Sequence, residues 1–422
     1  MNINWDNIGI APADILLPRP EYRDNFCVVA CDQFTSDSAY WEETERLVGQ
    51  SCSALRLIYP EIYLNDRPQE RIEEINRNMS AYLEQGVFEE YPQAIIYVER
   101  MLNDGRVRKG LVLAADLEQY DYSPSSASLI RATEGTIESR LPARIRIREN
   151  APLELPHIML LIDDRDKTVI EPLALEGLKP VYDINLMQGG GRVKGFLVDK
   201  AGQEKIFAAL SQLADMDSYR AKYALKEDAP LLLYAVGDGN HSLASAKSYW
   251  EGIKQKLSPE EAKRHPARYA LVELVNLHDS SLEFEPIHRV LFNVEPEKIF
   301  KKLEEFCGLA DEGQALEIVF GGQSHQVHLA RPAHQLAVGT LQKFLDEIMK
   351  ESDKAELDYI HEEDTVRSLG ALKGNMGFIL SPMSKDELFK SVILDGPLPR
   401  KTFSMGNGRD KRYYLEARRI KP

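Results

Sequence analysis

An α/β (α+β) fold is expected for this 422-residue chain on three observations. Short β-branched and aromatic runs alternate with stretches of helical spacing. Apolar residues make up 43% and charged residues 28%, an ordinary balance for a soluble globular protein. No repeat of fixed period and no low-complexity tract is present, which removes repeat architectures. The length corresponds to roughly two to three domains of about 150 residues.

The elements follow in chain order. FCVVACDQF reads as a strand leaving into a loop, and Ser36, Asp37 and Ser38 are capping types before a helix through Trp41, Leu47 and Val48. Asp66 can cap the next helix and Pro68 suits its first turn. Ile72, Ile75, Met79 and Leu83 give that helix one apolar stripe, which Gly86 ends. AIIYVERML and RVRKGLVLAA flank Asn103-Asp104-Gly105, a hairpin signal. HIMLLID and TVIEPL suggest a second hairpin around Asp164 to Lys167. MQGGGRVKG reads as a glycine-rich loop before a helix over 202–214. LLLYAV is a buried strand, GDGNHS a turn and LASAKSYWEGIKQ a helix, with PEEAKRH (helix) and YALVELVNL (strand) after it. Residues 279–422 mix helices over 296–307, 338–352 and 384–391 with the strands EIVF, QVHLA and MGFIL.

Charge and cysteine usage narrow the function. There are 52 Lys and Arg against 67 Asp and Glu, a formal net charge of −15, which opposes general nucleic-acid binding. No apolar run approaches the ~18 residues of a spanning helix, and MNINWDNIGIAPAD shows neither a basic n-region nor an apolar h-region. A cytoplasmic protein without membrane contact is the expectation. Cys27 and Cys31 would share one face of a strand, while Cys52 and Cys307 form no ligand-spaced pair. Buried free thiols, and no zinc, are expected.

Four segments could carry chemistry. In LLLYAV-GDGNHS-LASAKSYW, Gly237 and Gly239 allow close backbone approach, and Asn240, His241 and Ser242 present N–H groups at a helix N-terminus, where phosphate binds. Asp238 is placed to hold Mg²⁺ or accept a proton. A plain strand-to-helix turn capped by Ser242 or Asp238 reads equally well. Next, Thr133-Glu134-Gly135-Thr136 precedes Arg140, Arg144 and Arg148, which stack on one face if the stretch is helical. On a strand Arg144, Arg146 and Arg148 share a face instead. Either comb suits phosphate or carboxylate, and a solvated charged face is the plain alternative. Third, the segment from Arg400 to Pro422 holds eight Lys/Arg against two acids. Its Phe403, Tyr413, Tyr414, Leu415 and Ile420 suggest a folded-in tail facing the acidic body or an anionic ligand. Gly189-Gly190-Gly191 with Arg192 and Lys194 is either a phosphate nest or a surface loop.

Taken together, GDGNHS, ATEGTIESR, EPIHRVLF and LPRKTF resemble, in order, the segments DGHHR, EGTIRRH, PTHR and MPPKST of the domain of unknown function 1015 family, also labelled SpoOJ/ParA/ParB/RepB-like. The resemblance spans nearly the whole chain from ACDQFTSD onward. It implies a ParB/sulfiredoxin-like nucleotide-binding region with insertions over 1–278 and a C-terminal α+β region with a basic end over 279–422. Free serine kinases of that fold carry an Asp-Gly-His-His-Arg turn and use an upstream glutamate as base. The resemblance therefore implies Glu134 as general base, with Asp238 and His241 at the nucleotide phosphates. Two departures stand out. Asn240 replaces the family's first histidine (a cysteine in sulfiredoxin), which opposes sulfinic acid reduction. Ser242 replaces its arginine, a lost cation that Arg140, Arg144, Arg400 or Lys401 could supply.

The expected function is a phosphotransferase that moves phosphate from ATP or ADP, with Mg²⁺, to the hydroxyl of a small metabolite such as free L-serine. Gly239, Asn240, Ser242, Thr136, Arg140, Arg144, Arg400 and Lys401 would face the phosphates, with Glu134, Asp238 and His241 catalytic. The alternative is a non-catalytic nucleotide-binding switch or partner-binding protein of ParB-like type, and an oligomer is compatible with either.

Overall fold

The computed structural model describes residues 3–64 and 66–422. It is a mixed α/β protein whose chain divides into two units. One comprises Met1–Ala132, Thr136–Leu282 and Asn407–Pro422, and the other Thr133–Gly135 and Glu283–Gly406. Compared with the division expected after residue 278, the boundary falls after Leu282, Thr133–Gly135 belongs to the second unit, and the last segment returns to the first. Tyr413, Tyr414, Leu415 and Ile420 are buried there, where their apolar surface leaves water.

The first unit is built on a ten-stranded mixed sheet. Its path runs Lys179–Asn185, Arg192–Leu197, Ile96–Met101, Val107–Asp116, Tyr269–Asn276, Met159–Ile162, Tyr234–Asp238, Ile130–Ala132 and Tyr120–Asp121, with Ile10–Ala11 beside Val107–Asp116. The hairpin at Asn103-Asp104-Gly105 forms, with Arg100 opposite Arg108 and Gly105 at φ +84°. A smaller sheet orders Phe88–Ala94, Ala13–Pro18, Ala417–Arg419 and Leu153–Glu154, so the tail strand sits between two strands from early in the chain. The helix Ser38–Val48 is capped by Asp37, which accepts the Tyr40 N–H at 3.0 Å. Pro68–Glu84 starts on its proline and buries Ile72, Ile75 and Met79; Tyr82 is buried in preference to Leu83. Asp66 does not cap it but pairs with Arg71 at 2.7 Å.

Three local expectations are corrected. FCVVAC is buried but forms no strand, because its backbone is claimed by the tail. Ala30 N–H donates to the Lys411 carbonyl at 2.8 Å, Tyr413 N–H to the Val28 carbonyl at 2.9 Å, and Val29 makes a lone bridge to Arg412. TVIEPL is not the partner of Met159–Ile162. Asp164 accepts the N–H groups of Thr168 and Val169 and closes a turn, and Pro172 lacks the N–H a central strand needs. The three glycines join Lys179–Asn185 to Arg192–Leu197 as a hairpin turn. A Cβ on Gly190 would lie 2.5 Å from Arg412 Nε, and one on Gly191 2.3 Å from the Met101 carbonyl. Close packing accounts for glycine at 190 and 191.

The second unit holds a six-stranded antiparallel sheet ordered Leu309–Ala310, Gln323–Leu329, Gln314–Phe320, Met376–Ile379, His288–Phe292 and Glu356–Ile360. The helices Pro296–Cys307, Ala337–Glu351, Glu363–Gly370 and Lys385–Asp395 accompany it, with the strand pair Phe284–Pro286 and Phe403–Met405. No helix among the described residues is long and apolar enough to cross a membrane.

Candidate functional site

The strand Tyr234–Asp238 runs parallel to Ile130–Ala132 and antiparallel to Met159–Ile162, and the helix Asn240–Lys254 leaves from its end. Gly239 joins them at φ +77°, where a Cβ would lie 3.0 Å from Ile158 Cα. Only glycine suits that position. The N-cap residue is Gly239 itself, which brings no capping side chain. Asp238 accepts the Gly239 N–H through Oδ1 at 2.8 Å and meets Lys411 Nζ through Oδ2 at 2.9 Å. Ser242 Oγ lies 2.9 Å from His157 Nε2, and His241 Nε2 accepts the Ile137 N–H at 3.2 Å.

The charges at this turn are coupled. Burial disfavours the Lys411 ammonium, but the charge and hydrogen bond of Asp238, with Asp32 beside them, outweigh it and raise its pKa. Burial also disfavours the Asp32 carboxylate, yet His157, the Gln33 amide and Lys411 together lower its pKa. The Lys411 ammonium is thus stabilised by its contact with Asp238 and by the charge of Asp32.

The arginine comb is helical, on a short 3₁₀ turn Glu138–Arg140 followed by Leu141–Glu149. Arg144 pairs with Glu61, and Arg148 with the buried Glu154, which also meets Arg418 at 2.7 Å. The Arg140 side chain lies outside the described residues. Thr136 Oγ1 is buried without a hydrogen-bond partner.

Other predicted residues meet within the second unit. The Leu398 N–H donates to the Thr133 carbonyl at 2.7 Å, and Glu134 Oε1 accepts the Lys401 N–H at 3.1 Å. Arg289, fully buried, donates to the carbonyl of Ile287 and, at 3.5 Å, to that of Arg400. Its guanidinium and that of Arg400 lie 5.0 and 5.6 Å from the Tyr359 ring. ATEGT, EPIHR and LPRKTF, far apart in sequence, thus come together. Asp238, Gly239, Asn240, His241, Ser242, Thr136 and Arg144 belong to the first unit; Glu134, Arg400 and Lys401 belong to the second.

Sequence reasoning missed Lys411, His157 and Asp32. The basic tail was the one signal for Lys411, and nothing local marked the other two. The residues do not form a resident metal site. No group of three His, Cys, Asp or Glu among the described residues could hold an ion, and both Asp238 oxygens are engaged. The thiols form no disulfide; Cys31, beside the Tyr413 hydroxyl, is pushed by burial up to about 12.

No curated protein matches the chain. Three solved structures resemble it at 12% identity. A free serine kinase in complex with AMP has a TM-score of 0.37, covering 74% of this chain and 91% of its own. A conserved hypothetical protein from Pyrococcus furiosus has 0.35, covering 74% and 95%. SbnI with a C-terminal truncation, from Staphylococcus aureus, has 0.34, covering 70% and 82%. Likeness at this level carries no statement about activity. The model of the family described as Protein of unknown function (DUF1015) matches residues 10–354, and the chain belongs to that family.

Proposed function

We propose that the protein is a cytoplasmic phosphotransferase that holds the phosphates of ATP or ADP at the Asp238–Ser242 turn. The acceptor is the hydroxyl of a small metabolite, with free L-serine the first to test. The observation that carries this reading is the turn itself: a helix N-terminus with glycine at its N-cap, and the Lys411 ammonium beside it on Asp238. A helix N-terminus favours anions, and a lysine as point charge is a common phosphate partner. Lys411 supplies the cation that Ser242, in place of an arginine, does not.

In the transfer the acceptor oxygen forms a bond to the terminal phosphorus as the bond to the bridging oxygen breaks. The shortened nucleotide leaves, and the hydroxyl proton passes to a carboxylate. Glu134 takes that proton in this reading, a role that rests on the family resemblance. Magnesium would come with the nucleotide, since one or two carboxylates plus phosphates are its usual ligands.

Phosphorus NMR of the protein with Mg²⁺, ATP or ADP, and a pool of amino acids and polyols tests the reading. A new phosphomonoester resonance is expected. Glu134→Gln should remove it while nucleotide still binds, and Lys411→Met should weaken nucleotide binding about tenfold, the worth of one charge-assisted hydrogen bond. Nucleotide that binds and stays intact would establish a non-catalytic switch instead. Absence of binding would overturn both.

A further inference from the structure

Beside the turn, within the first unit, lies a cavity of ≈ 160 Å³ that shares Ser242 with it and has Arg144 on its wall. Its walls are mainly aliphatic, with Leu57, Ile58, Met79, Ile147, Leu153 and Leu271 among them. Two ion pairs, Arg144 with Glu61 and Arg148 with Glu154, also line it, and at another point Ser242 and His157, hydrogen-bonded to each other, stand with Cys31 and Tyr413. His157 Nε2 is engaged by Ser242, and Nδ1 is buried with no hydrogen-bond partner. Ser242 Oγ, held by His157 on the cavity wall, can both donate and accept, so a hydroxyl group complements it in either role.

We propose that this cavity binds a small hydroxyl compound with an apolar body, its hydroxyl in the Ser242–His157 corner and its body against the aliphatic walls. Apolar cavities of about 150 Å³ accommodate benzene-sized molecules, so the occupant has roughly that bulk. L-serine, one hydroxymethyl group on a zwitterion, would leave most of the wall uncovered. As the identity of the acceptor, the inference rests on the phosphotransferase reading; as a binding site, it stands without it. Ser242 belongs both to the cavity wall and to the first turn of the helix, and so links the two.

Titration of the full-length protein with propan-1-ol, butan-1-ol and pentan-1-ol, followed by ligand-observed NMR, tests the binding. Affinity should rise about fourfold per methylene. The companion probes are 2-phenylethanol, ethylbenzene and L-serine. 2-Phenylethanol should bind about tenfold tighter than ethylbenzene, and both tighter than L-serine. Ala143→Trp, on the wall, should abolish alcohol binding. His157→Phe, which keeps a ring and removes both nitrogens, should erase the preference for 2-phenylethanol over ethylbenzene. Silence of all the alcohols, tighter binding of L-serine, or a preference that survives His157→Phe would each overturn the proposal. ADP titrated into the same samples separates the two readings. Alcohol binding without ADP binding sinks the phosphotransferase and leaves the cavity site; ADP binding without alcohol binding does the reverse.

Discussion

In the first unit, Arg108 and the arginines around Glu154 meet carboxylates, whereas the buried Arg131 donates to the carbonyls of Ser128, Pro230 and Leu231. Arg108 lies 3.0 Å from Glu273, and Glu154 receives both Arg148 and Arg418. In the second unit Arg289, equally buried, meets no carboxylate among the described residues. Its partners are two carbonyls, the Gln342 side chain and the face of Tyr359. The electrostatic outcome differs accordingly. The Glu273 carboxylate and Tyr414 outweigh burial at Arg108 and raise its pKa, whereas burial takes Arg289 down to about 10, with only Tyr359 opposing it. Both stay charged at neutral pH, but for different structural ends. At Arg108 and Glu154 the first unit neutralises interior charges in ion pairs. The second uses one cation to hold backbone, and the carbonyl it reaches at Arg400 adjoins the Lys401 N–H that Glu134 accepts.

The largest predicted effect breaks a first-unit pair. Arg108→Met strands Glu273 as a buried charge and should cost ~3–5 kcal/mol in urea unfolding, with the double variant R108M/E273M regaining much of it. All three tryptophans, Trp5, Trp41 and Trp250, lie in the first unit, so their fluorescence reports on it alone. A loss below ~1 kcal/mol would end the contrast between the units.

Next comes Glu416, fully buried beside the Tyr182 hydroxyl at 2.7 Å. Burial raises it from 4.5 to about 7, against hydrogen bonds from Tyr182 and backbone that lower it. Its folded pKa exceeds its unfolded one. Its contribution is therefore full below about pH 4.5 and is lost as pH rises through about 7, on the order of 3 kcal/mol in all. Fluorescence-detected Tm at pH 5 and pH 8 should show this slope, and Glu416→Gln should flatten it.

A smaller loss is expected for Arg289→Met. It leaves carbonyls without a donor but strands no opposite charge, so ~1–3 kcal/mol is the scale. Hydrogen exchange across the Met376–Ile379 and Glu356–Ile360 strands would measure it. A cost equal to that of Arg108→Met would show that carboxylate and carbonyl partners left without the guanidinium are equally destabilising. At the bottom of the scale, Lys205→Gln removes an exposed pair with Glu176 at 2.7 Å and should change stability by ~0–1 kcal/mol.

What the sequence disclosed follows the range of the interactions involved. The turn at Asp238–Ser242 was legible because a strand, a glycine of positive φ and a helix start are neighbours in the chain. The Asn103-Asp104-Gly105 hairpin was legible for the same reason. FCVVAC was misread because its apolar, β-branched composition reports burial, and burial came without strand pairing. The arginine comb was visible as spacing, while its acid partner Glu61 lies far upstream. Lys411 on Asp238 and His157 on Ser242 connect distant segments, and no local pattern announces such pairs. The family motifs pointed to Glu134 and LPRKTF separately; that Glu134 accepts the Lys401 N–H needed coordinates.

The tail strand Ala417–Arg419, wedged between Ala13–Pro18 and Leu153–Glu154, sets an order of assembly. During synthesis the second unit's sheet and helices emerge complete while the smaller sheet of the first still lacks its central strand. That gap cannot close until residue 419 has left the ribosome, and such long-range closure is slow. Until then Phe26–Ala30 have no Lys411–Tyr413 backbone to bond, and Asp238 has no ammonium. A nascent chain, or one cut between Gly406 and Lys411, would thus display a formed helix N-terminus without the ammonium that Asp238 meets.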